Sequence, residues 1–139
     1  PHDPATIYVN EFSDTVGTGR IQRMSDGKWL VRWAPGITCE STVDDVPAGA
    51  MSLLVEVPGS VQSGDVFDIE EPNHTSSEMA FALVEFHDTS IAPGYFFRRG
   101  TIVVDSWGPE GGTLRVWASD GYAGIEGSIQ ATRCPDPIE

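Results

Sequence analysis

Basic residues are scarce in this sequence. Eight lysines and arginines stand against 21 aspartates and glutamates, a formal net charge of −13. A surface that binds nucleic acid or an anionic membrane must bring cations to phosphates, so this balance argues against both partners. Most of the carboxylates read as solvated edges and loops that confer solubility. Cysteine is nearly absent as well: Cys39 and Cys134 are the only two. That is too few for a miniprotein built on disulfides, so a hydrophobic core must carry most of the stability. Long apolar runs are missing, and no stretch approaches the ~18 residues of a membrane-spanning helix. Convincing helical periodicity is missing too, with one short turn after Asp44 as the exception. There is no internal repeat, no low-complexity segment and no interdomain linker. No secretory leader is seen, and Pro1-His2-Asp3-Pro4 reads as a processed terminus or domain boundary.

What is present is alternation. Ile125 to Thr132 switches between apolar or small and polar residues at each step, the pattern of a half-buried strand, because successive side chains point to opposite faces. Similar segments run over Ala5 to Phe12, Arg20 to Met24, Lys28 to Trp33, Leu53 to Val57, Val66 to Ile69, Met79 to Phe86, Tyr95 to Arg98, Thr101 to Trp107, Thr113 to Ala118 and Ala123 to Thr132. Turn chemistry separates them, as in Ser25-Asp26-Gly27, Ser63-Gly64-Asp65 and Ser119-Asp120-Gly121. Short strands with no helices between them predict an antiparallel β-sandwich of about nine or ten strands in a single domain, 1–139. A chain of this length buries roughly two-thirds of its unfolded surface. Residues 1–12 form a candidate exchangeable N-terminal strand, with a Gly-rich segment through Gly17 and Gly19 behind it. Residues 135–139 form a tail whose prolines cannot extend a sheet. Cys134 lies just past the last strand, between Arg133 and Pro135, where an inert buried thiol is unnatural, so a Cys39–Cys134 disulfide is expected.

Signatures of chemistry are sparse. His2, His74 and His87 have no metal-ligand spacing, and no transition-metal site is expected. Calcium is the candidate ion, held by loop oxygens from Asp44 with Asp45, or Asp65 with Asp68, Glu70 and Glu71, although no EF-hand loop is present. Glu85 interrupts the most apolar strand, on the same face as Met79, Phe81 and Leu83, and is the candidate acid of a small hydrolase. Catalysis by paired carboxylates needs a second acid about 5–10 Å away. No Gly-x-Ser-x-Gly elbow occurs. Phe96, Phe97, Arg98 and Arg99 make the only basic cluster and a candidate partner patch. Trp107 and Trp117 flank a Gly-rich turn and, with Tyr122, form a candidate platform for sugar rings, whereas Trp29 and Trp33 share a core face with Val31. Asn73-His74-Thr75 fits an N-glycosylation acceptor.

The segments Gly100-Thr101-Ile102-Val103-Val104, Gly112-Thr113-Leu114 and Gly124-Ile125-Glu126-Gly127-Ser128-Ile129-Gln130-Ala131-Thr132-Arg133-Cys134 resemble the closing strands of β-sandwich domains in bacterial secreted lipoproteins. The likeness covers the C-terminal quarter. It implies a cell-surface or extracellular setting and no catalytic residues. The chain lacks the N-terminal acylated cysteine of those proteins, so lipid attachment does not carry over.

These readings together predict a non-catalytic, extracellular structural or adhesive protein. Self-association or membership of a surface polymer or filament is expected through strand addition, with Ile7, Tyr8, Val9 and Phe12 in the donor strand. The alternatives are a carbohydrate-binding module with a glycan partner and a small secreted hydrolase.

Overall fold

Period-two patterning becomes burial in the strands. Over Trp29–Trp33 the side chains of Trp29, Val31 and Trp33 are buried, while Leu30 and Arg32 between them are half-buried. Met51–Val57 does the same with Met51, Leu53, Val55 and Val57 inward. The computed structural model describes residues 3–41, 46, 49–69, 80–86 and 94–135. Within them the chain forms eleven strands and no helix: β1 (Thr6–Val9), β2 (Phe12–Thr15), β3 (Gly19–Arg23), β4 (Trp29–Trp33), β5 (Met51–Val57), β6 (Val66–Asp68), β7 (Phe81–Phe86), β8 (Gly94–Phe96), β9 (Gly100–Trp107), β10 (Gly111–Ser119) and β11 (Ala123–Arg133). The all-β expectation holds. The short helical turn after Asp44 falls outside the described residues.

Hydrogen bonding runs as one continuous path, β6-β9-β10-β11-β3-β4-β5-β7-β8, with β1 and β2 branching from β11. The expected pair of separate sheets is therefore not what these strands display. The sheet curls into an open half-barrel, so that β7 packs against β1 and β11 across one shared core. Among the described residues one bridge, Ile69 to Ala80, links the residue after β6, at one end of the path, to the residue before β7, next to the other end.

Strand β11 organises the sheet because it is long. One edge pairs along its length with β10, Gly111 opposite Thr132 through Ser119 opposite Gly124. The other edge is shared: β1 takes Ala123 to Glu126, and β3 takes Ala131 to Arg133. The β3 ladder is parallel, which the sequence reading did not anticipate. Its origin is direction: β1 runs antiparallel to β11, and β2 reverses on β1. The chain then continues in that sense to β3, farther along the same edge.

The reversal at Asn10-Glu11 divides the expected single strand Ala5 to Phe12. Asn10 has φ 54°, the left-handed region that asparagine tolerates better than most residues, and its N–H donates to the Tyr122 carbonyl. Ile7, Tyr8 and Val9 thus lie in β1 and Phe12 in β2, and β1 is paired on both edges within its own chain. Ala5, Ile7 and Val9 are buried. Upstream of β1, the Ala5 N–H donates to the Ser128 carbonyl and the Ser128 N–H to the Asp3 carbonyl. Gly127 permits this approach: at φ 126° it sits where a Cβ would fall 2.7 Å from the Ala5 Cα.

Cys39 and Cys134 form the expected disulfide, Cα atoms 5.6 Å apart across a sequence separation of 95. It fastens the crossover after β4 to the end of β11. Gln22 Nε2 on the intervening β3 donates to the Cys39 carbonyl, and the Cys134 N–H donates to the Ile21 carbonyl. In the chain-entropy account a loop of this size contributes up to about 4–5 kcal/mol.

Candidate functional site

Outward positions on the β9-β10-β11-β1 ladder carry the most distinctive exposed surface. Trp117 of β10 is 39% exposed although its inward neighbours Val116 and Ala118 are buried. Register sets its companions: Thr101 of β9 lies on one side, Glu126 of β11 on the other, and Thr6 of β1 beyond Glu126. Two residues along the same strand, the Arg115 guanidinium lies over the indole, 5.6 Å from the ring centroid. Such a contact stabilises by about 0.5–1 kcal/mol at an exposed site.

Asp105 holds that guanidinium in place. Thr113 pairs with Ser106 but Leu114 pairs with Val104, so Asp105 is the extra residue of a β-bulge. Its carboxylate accepts from Arg115 Nε at 2.8 Å and from Nη2 at 2.9 Å, a two-point pairing that fixes the guanidinium plane.

On the far side of Trp117 the surface is ordered by a turn. The Asp120 carboxylate accepts from the Tyr122 and Ala123 N–H groups at 2.9 and 2.7 Å. Ser119 Oγ accepts from the Gly121 N–H and shares a 2.8 Å hydrogen bond with the Tyr8 hydroxyl. The Tyr8 ring lies against Gly124, where a Cβ would come within 2.4 Å of it. Two shallow hollows border the indole. Arg115, Asp3, Thr6 and Glu126 line one, and Arg99, Ser119, Ile125 and Glu126 line the other.

Trp107 does not join this surface, a correction to the expected three-residue platform. It pairs with Gly112, five residue pairs from Trp117's partner Thr101 along the ladder, or about 17 Å at strand rise. Its ring meets Trp29 edge-on at 6.0 Å and is partly buried against the core. The Arg23 and Arg133 guanidiniums lie over Trp29 at 4.6 and 4.2 Å, so this end of the sheet is a packed aromatic–guanidinium cluster. Tyr122 is 47% exposed, but in the β10–β11 turn rather than on the strand face.

The Phe96 to Arg99 patch is also redistributed. Phe97 is completely buried in the core, whereas Arg98 and Arg99 are both exposed. Strict alternation fails because the chain leaves the strand at Phe97 and bends through Arg98 and Arg99 into β9. Phe96 belongs to β8.

Glu85 lines a separate cavity of about 130 Å³ between the outer face of β4, β5 and β7 and the crossover after β4. Arg32, Ser52, Leu54, Pro35 and Ile37 are among its walls. Glu85 is the only carboxylate lining it among the described residues, one short of what a paired-acid mechanism requires. For calcium, the Asp65 carboxylate accepts from the Gln62 N–H at 2.8 Å, closing its own turn, and Asp68 is exposed on β6. No cluster of three or more His, Cys, Asp or Glu suited to a metal ion occurs among the described residues. His2, Asp44, Asp45, Glu70, Glu71, Asn73, His74, Met79 and His87 lie outside those residues.

No helix among the described residues is long and apolar enough to cross a membrane. No protein-family model, curated protein or solved structure matches the chain.

Proposed function

We propose that this chain is a non-catalytic extracellular domain that works by adhesion through the outward face of β9, β10, β11 and β1. The observation that carries this reading is Trp117. A large aromatic side chain left 39% exposed at the middle of a well-paired sheet, held by an anchored guanidinium, is a preformed contact. Both edges of β10 are already hydrogen-bonded, so the contact is made by side chains on a rigid support. The disulfide supports an oxidising setting outside the cytosol, and the resemblance of the closing strands to secreted lipoprotein domains supports a cell surface. In this reading the opposite sides of the curled sheet, packed across the shared core, serve as the layers of a sandwich.

The test is adhesion of the whole chain. Beads coated with the protein are offered to surfaces bearing collagen, mucin or insoluble polysaccharide, alongside beads carrying Trp117→Ala. Retention on at least one surface, reduced several-fold by the substitution, is expected. Uniform failure to adhere would defeat the reading. So would hydrolysis of a chromogenic ester or glycoside that Glu85→Gln abolishes.

A further inference from the structure

Resting on that adhesive reading, we infer that the hollow between Trp117, Arg99, Ser119 and Glu126 binds one ring of an uncharged polysaccharide. Arg115 lines the opposite hollow and lies over the indole, which leaves the ring face toward Ser119 for a ligand. That face is flat and apolar. Around it stand Arg99, which only donates hydrogen bonds, and Glu126, which only accepts them, beside the Ser119 hydroxyl that is bonded to Tyr8 and to the Gly121 N–H.

Charge selects among occupants. A cationic ligand, though drawn by the field of the whole molecule, would meet the Arg99 guanidinium at the hollow itself, Arg115 being neutralised by Asp105. An anionic ligand would meet Glu126 and the field of a molecule carrying −13. The two side chains at this hollow offset one another, so the favoured occupant is neutral. An added peptide strand is disfavoured as well, because β10 has no unpaired backbone edge to offer. A neutral pyranose meets all the conditions: an apolar C–H face to lie on the indole, and hydroxyls at its rim that both give and take hydrogen bonds. The hollow is open and shallow, which suits an internal unit of a long chain approached from the side.

Affinity electrophoresis of the intact, disulfide-bonded protein tests this in gels containing hydroxyethylcellulose, soluble starch, yeast mannan or galactomannan, with alginate and chitosan as charged comparators. Retardation by at least one neutral polymer is expected, weakened about tenfold or more by Trp117→Ala. Arg99→Gln and Glu126→Gln should each weaken it several-fold. Should Trp117→Ala fold poorly, a second readout uses the unaltered protein: an oligosaccharide of the retarding polymer should shift one indole N–H resonance, the one missing from Trp117→Phe. No retardation by any neutral polymer, retardation only by charged ones, or binding indifferent to Trp117 would overturn the inference. If neutral polymers fail while Trp117→Ala still abolishes adhesion to collagen or mucin, the saccharide assignment falls and the adhesive reading stands. If the protein adheres to nothing, both fall.

Discussion

Trp29 and Trp117 are chemically identical side chains with opposite fates, decided by strand parity. Trp29 faces inward, is 8% exposed and sits beneath two guanidiniums. Trp117 faces outward and touches one. Replacing Trp29 with Ala should therefore cost about 3–5 kcal/mol, the range for a buried aromatic truncated in a core. The same change at Trp117 should cost only about 1–2 kcal/mol, from partial burial and one exposed cation–π contact. Urea denaturation of the two variants measures the difference directly, and near-equal losses would mean Trp117 is a core residue. Parity was readable for Trp29 and Trp33, which share a strand face with Val31. For Trp107 it was not, because the bulge at Asp105 lies between it and the regular part of β9. A bulge depends on the register of two strands, and no single segment announces that.

Among whole strands, those with strong alternation and glycine-marked turns were legible, including β4, β10 and β11. The hairpin between β1 and β2 was not: Asn10-Glu11 contains neither glycine nor proline, and the one signal is Glu11, a charge on the face that Ala5, Ile7 and Val9 turn inward. Nor was the candidate site, whose Thr6, Trp117, Glu126 and Thr101 come from four strands and meet only once register is known. The placement of β1 has a mechanical corollary. Deleting residues 1–12 removes Ala5, Ile7 and Val9 from the core and bares the β11 edge from Ala123 to Glu126. The truncated chain should lose its cooperative melt by circular dichroism and aggregate. A truncated protein that melts like the intact one would instead identify β1 as dispensable and available for exchange between copies.

Across the entire molecule, the few basic side chains are largely committed to internal work. Arg23 and Arg133 lie over Trp29, Arg115 holds Asp105, and Lys28, only 7% exposed, reaches Glu56 at 3.3 Å. Such commitments leave a strongly acidic surface whose self-repulsion opposes the compact state. Raising ionic strength from about 10 mM to 150 mM shortens the Debye length from about 30 to 8 Å and should lift the melting temperature by about 2–5 °C. Scanning calorimetry in sodium chloride reads it; a fall in melting temperature would show that attractive ion pairs outweigh the repulsion.

The shared edge of β11 also governs the order in which the chain can be built. Without β11, the hydrogen-bonded sheet separates into three groups: β6 with β9 and β10, β1 with β2, and β3 through β5 with β7 and β8. Among the described residues, only the bridge between Ile69 and Ala80 would join the first group to the third. Because β11 follows every other strand in the sequence, a growing polypeptide cannot complete its sheet until Ala123 to Arg133 has emerged, and Cys134 reaches Cys39 only then. Synthesis therefore carries the chain as far as β11 with its sheet unclosed. Closure and cross-linking become a single late event.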